Sequence, residues 1–195
     1  APGPDPDHCF TQGECEDARR WFPCIDHPSD RATSELVVTM PATWTSVAGG
    51  VRLSRELEAG RAVERWVHHA PHPAYLETLV AGELVTVEDE GEVPIQYVGP
   101  VRTAPLLQPS LGATPGVLAF LGKLTGRAYP YAKYATCAVD GFPFGGMENT
   151  SATTITTAAL CDHRGRVDGG PEGLVVHEAA HQWFGDLLTC ADWDE

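Results

Sequence analysis

The chain has 195 residues, 43% hydrophobic and 21% charged, and its 27 acidic against 13 basic residues leave a net charge of −14. That field repels a phosphate backbone and an anionic bilayer alike, so nucleic-acid binding is not expected, and no apolar run approaches the roughly 20 residues of a membrane-spanning helix. The length admits one good core or two small ones.

The chain opens on Ala1 rather than Met, with a Pro/Gly/Asp-rich lead over 1–7, the form expected of an internal fragment of a longer protein. Six cysteines without a Cys-x-x-Cys pair point to reduced thiols rather than a zinc knuckle or a disulfide scaffold, and a cytoplasmic location is expected. From Ser34 to Val98 the pattern is short, β-branched and roughly alternating: Leu36 to Thr39, Val51 to Leu57, Arg61 to Val67, Leu79 to Val87 and Val93 to Val98 read as strands. Glu58-Ala59-Gly60 and Asp89-Glu90-Gly91 supply turns between paired runs, as in an antiparallel sheet or sandwich.

Between Gly99 and Gly116 the texture changes to Pro, Gly and small residues without periodicity, so a boundary is expected there, dividing 1–105 from 106–195. Thr114 and Pro115 then suit the start of a helix with Val117, Leu118, Leu121 and Leu124 on one stripe. Pro171 and Glu172 suit the first turn of another. In it Leu174, His177, Glu178, His181, Phe184 and Leu188 recur at three- and four-residue steps, so one face should carry apolar residues and chemistry together.

His177-Glu178-Ala179-Ala180-His181 on that helix is an H-E-x-x-H pattern. Residues four apart sit one turn above each other, so both imidazoles can reach one ion while Glu178 can take a proton from water beside it. Neutral imidazole nitrogens suit zinc. The alternatives are two histidines on a helix by chance and a Glu178 that merely forms a surface ion pair. Glu148 alone would be an ordinary loop carboxylate, and Gly145-Gly146 an ordinary turn. Cys137, Cys161 and Cys190 have no histidine tied to them by a motif and read as structural thiols.

With that helix in hand, Phe144-Gly145-Gly146-Met147-Glu148-Asn149 resembles the G-x-M-E-N signature of the aminopeptidase N family of zinc metallopeptidases, which includes leukotriene hydrolase-like enzymes. Thr11-Gln12-Gly13-Glu14, Phe22 to Pro28, Tyr129 to Tyr134 and His181 to Gly185 are similar to family members too, so the resemblance spans nearly the whole chain. It implies an α+β chain: the C-terminal part of an antiparallel β-sandwich domain, then the start of a thermolysin-like catalytic domain. It also implies release of single residues from peptides with a free N-terminus. In that reading zinc is held by His177 and His181, Glu178 is the general base, and Glu148 and Glu14, with Gln12 nearby, hold the substrate amine. Gly145, Gly146 and Met147 lie along the substrate backbone. For Glu14, a solvated charge beside Glu16 and Asp17 is an equally open reading. The third zinc ligand implied by the resemblance is a Glu at about position 200, beyond Glu195, in a site that needs three protein ligands. Asp186 stands where family members commonly carry Asn. A catalytically inactive scaffold and a bifunctional epoxide hydrolase of the same family are the alternatives.

Overall fold

The computed structural model describes residues 7–167 and 169–194, so most of the Pro/Gly/Asp-rich lead lies outside the described residues. In chain order the strands are β1 (His8–Phe10), β2 (Arg31–Pro41), β3 (Thr45–Ala48), β4 (Val51–Glu58), β5 (Arg61–Pro73), β6 (Leu79–Gly82), β7 (Leu84–Asp89) and β8 (Ile95–Pro100). Helices α1 (Ala104–Leu111) and α2 (Thr114–Thr125) follow, then β9 (Tyr134–Val139), β10 (Gly146–Met147), β11 (Ala152–Thr156), α3 (His163–Val167) and α4 (Glu172–His181).

The β4–β5 hairpin turns through Ala59 and Gly60, whose φ angles of 48° and 76° are the paired positive values that a tight two-residue loop requires. These strands and β2 form the antiparallel sheet β2-β5-β4, and a second three-stranded sheet has the order β1-β6-β3. The third sheet is mixed, in the order β10-β11-β9-β8-β7. Its central strand β9 runs parallel to both β8 and β11 and is buried along its whole length, as expected of a parallel strand covered on both faces. Tyr134 and Ala138 face a core built with Leu107, Leu118, Leu121, Val175 and Trp183 of the helical side. Ala135, Cys137 and Val139 face a core built with Val47, Trp66, Leu76 and Val80 of the strand-rich side. The α+β architecture read from the sequence is the one observed.

Sheet pairing does not follow the division expected at 105/106. Strands β7 and β8 form the expected hairpin, yet β8 bonds onward to β9, so 84–100 share a sheet with the later part of the chain. The Pro-rich stretch also contains α1, which Pro105 opens at its first turn. Pro109 removes one helical hydrogen bond, and complete burial of Leu107 and Leu111, four residues apart on one face, offsets that loss. Helix α2 begins at Thr114 as read and ends on Gly126 in the left-handed region, φ 68°. Its Leu118 and Leu121 are buried, whereas Leu124 is exposed. All six cysteines are free thiols.

Candidate metal centre

Helix α4 buries Val175 and Ala179, and Trp183, two residues past its end, continues that four-residue step into the helical-side core. Trp183 Nε1 donates to Arg127 O at 3.0 Å and fixes the end of the helix. The face expected from sequence was therefore misplaced: the apolar stripe lies beside the histidines, not in line with them, and His177 is exposed. The helix also stops at His181. Beyond it Asp186 N bonds to His181 O at 3.0 Å and Leu188 N to Trp183 O at 3.0 Å, bonds reaching five residues back, while Gly185 takes φ 141°. Phe184 and Leu188 leave the helix axis there and are exposed.

On the open face His177 Nε2 and His181 Nε2 stand 3.2 Å apart. Two nitrogen donors bound tetrahedrally to one ion lie about 3.3 Å apart when each is 2.0–2.1 Å from it, so the spacing of this pair is compatible with a zinc ion. His181 Nδ1 lies 3.0 Å from Phe184 O and donates to it, which leaves Nε2 as the free lone pair in the neutral ring. The post-helical turn thus orients the His181 ring.

Three carboxylates surround this pair. Glu178 is buried, its Oε2 has no hydrogen-bond partner, and burial followed by Glu148 and Glu14 pushes its carboxyl up to about 8. Glu148 Oε1 is 3.8 Å from His181 Nδ1. The Glu14 carboxyl is raised by partial burial and by Glu148, and drawn back by His181. Glu14, from the strand-rich side, therefore shares one electrostatic environment with His181 of α4 and with Glu148, which follows β10. Excess negative charge around two imidazoles suits a divalent cation and an ammonium group.

Gly146 has a reason to lack a side chain, because a Cβ there would come within 2.3 Å of Glu178 Oε1. It lies with the buried Met147 on β10, the edge strand of the mixed sheet, beside α4. Gly145 precedes it, and a Cβ there would touch Leu174 of α4 at 3.6 Å. Gln12 Nε2 donates to Met147 Sδ at 3.3 Å, joining the segment that carries Glu14 to the same strand. All the residues singled out from sequence thus converge on one region.

Several residues around it were given no role from the sequence. Gln182 and Lys133 are buried and bonded to the 148–151 loop. Asp186 is completely buried, and burial, then Glu148, hold its carboxyl well above the usual range, with Thr150 and Arg31 opposing. Away from the site, Asp7, His8 and Asp140 also bring ligand-type atoms together, but Arg102 pairs with both carboxylates and serves as their cation.

The Peptidase M1 N-terminal domain model matches residues 3–76, and the Peptidase family M1 domain model matches residues 110–195. The chain is 31% identical over 189 residues to aminopeptidase B of Mus musculus, covering 95% of this chain and 27% of that protein. It is 32% identical over 193 residues to aminopeptidase N of Acetobacter pasteurianus, covering 94% of this chain and 54% of that protein. To leukotriene A-4 hydrolase of Xenopus laevis it is 30% identical over 198 residues, covering 96% and 30%. The chain therefore spans between about a quarter and a half of the length of these relatives.

Proposed function

The chain belongs to the M1 peptidase family, and from that premise we propose that the full-length protein is a zinc aminopeptidase acting on peptides with a free N-terminus. The observation that carries this reading is the gathering of Glu14, Glu148 and Glu178 around the paired imidazoles of His177 and His181.

His177 and His181 supply two of the three protein ligands that a catalytic zinc requires. When bound, zinc polarises a carbonyl oxygen and acidifies water. Glu178 takes a proton from the attacking water and returns it to the leaving amine, so no covalent intermediate on the protein is needed. The free edge of β10 offers backbone N–H and C=O groups to an extended peptide, and Gly145 and Gly146 let that peptide approach. Glu148 and Glu14 hold the protonated α-amine. With the amine fixed this close to the ion, only the first peptide bond reaches Glu178. Six free thiols support action in a reducing compartment such as the cytoplasm.

The test compares hydrolysis of an aminoacyl amide and its N-acetylated form by the full-length protein, before and after chelation and zinc restoration. Zinc-dependent cleavage of the free-amine substrate alone is expected. Equal turnover of both forms would overturn the aminopeptidase reading.

A further inference from the structure

Gln182 is completely buried, and its side-chain amide spans the loop that begins at Glu148. Its Nε2 donates to Glu148 O at 3.0 Å, and its Oε1 accepts from Ser151 N at 2.9 Å, one bond of each polarity at the two ends of residues 148–151. Tyr129 Oη shares its one proton between Lys133 O at 2.9 Å and that Oε1 at 3.1 Å. The loop needs such support, because Ser151 holds φ 63°, a conformation that non-glycine residues rarely adopt. Lys133 Nζ braces the same residue from the far side, donating to Ser151 O at 3.0 Å and Ala48 O at 2.9 Å.

Gln182 directly follows His181. The residue that ends the histidine helix therefore also grips the backbone of the carboxylate facing it. We infer that Gln182 is a positioning residue: it fixes the distance from the His177–His181 pair to Glu148, and thereby the affinity for a substrate amine one residue's length from the ion. This rests on the aminopeptidase reading above. A side chain of similar length without the amide loses both bonds and frees the loop, while the histidines remain on their helix.

Gln182→Met in the full-length protein tests this with two inhibitors, an amino acid hydroxamate and the same hydroxamate lacking its amine. Zinc content is measured on the same preparation. Stoichiometric zinc, an inhibition constant weakened about tenfold for the amine-bearing compound, and a change under about twofold for the other are expected, the loss being that of hydrogen bonds which aim a charged group. Equal weakening of both, or of neither, overturns the inference. Tyr129→Phe keeps the ring and removes the hydroxyl that reaches both Gln182 Oε1 and the backbone oxygen of Lys133, the two residues that hold the 148–151 loop, so it should shift the same ratio about threefold. Where Gln182→Met does not fold, an unchanged ratio in Tyr129→Phe overturns the inference instead. A parent protein that binds both hydroxamates equally fails at the amine recognition itself, which sinks the aminopeptidase reading as well.

Discussion

Glu178 and His68 are both buried titratable residues, with opposite consequences. Glu178 lies between the two histidines in sequence, and its amide analogue keeps shape and both imidazoles while removing the proposed proton acceptor. Glu178→Gln should retain zinc by metal analysis and lose at least about a hundredfold in hydrolysis of a free-amine aminoacyl amide. His68 faces no substrate. It is 4% exposed, neither ring nitrogen has a partner, and its ring stacks on His72, itself 3.0 Å from Glu77. Burial first, then His72, lowers its pKa to about 3, with Glu77 opposing and with Lys133 and His69 adding a little. An unfolded chain takes up this proton below about pH 6.5 and the folded one does not, so stability falls as pH drops through that window. His68→Leu should remove about 1–2 kcal/mol of the loss between pH 7 and pH 5 in urea unfolding. A slope equal to the parent's would show that the imidazole is solvated.

The elements legible in the sequence were those set by local chemistry. Ala59-Gly60 dictates its hairpin, Thr114-Pro115 its helix start, and the H-E-x-x-H spacing its paired imidazoles. What was not legible depends on partners distant in sequence. Short apolar runs do not reveal whether β8 pairs backwards with β7 alone or also with β9. Two prolines in the 99–116 stretch mask a helix that exists because Leu107 and Leu111 find a core. The end of α4 is set by bonds five residues back and by Gly185, which the three- and four-residue periodicity of 174–188 overruns. The corrected helix face makes a prediction. Ala179→Leu inserts volume where α4 packs into the core and should destabilise by about 1–3 kcal/mol in denaturant unfolding. His177→Ala on the open face should stay within about 0.5 kcal/mol in zinc-free buffer while losing zinc affinity. Equal costs for both would mean that the helix is rotated from the orientation described.

At the scale of the whole molecule, the strand-rich side and the helical side are tied together around the site. Arg31 of β2 donates to Asp186 O and Thr189 Oγ1, each at 2.8 Å, and Tyr75 Oη reaches Gly185 O at 3.4 Å. Gln12 and Lys133 make their ties on the other side. No helix among the described residues is long and apolar enough to cross a membrane. The carboxylates of the site come from opposite ends of the sequence, Glu14 near the start and Glu178 on α4. Bringing them together closes a loop of nearly the whole described chain, whose entropy must be lost before the contact returns anything. Helices and hairpins can form first, and the corner proposed to bind the amine only when both sides dock. In refolding of the full-length protein from urea, free-amine hydrolysis should therefore trail the far-ultraviolet dichroism signal, and simultaneous recovery would show that docking is not a separate step. On the proposed peptidase reading, a nascent chain that carries every strand of the first sheets is then still harmless to its neighbours, because its cutting edge is the last thing folding sharpens.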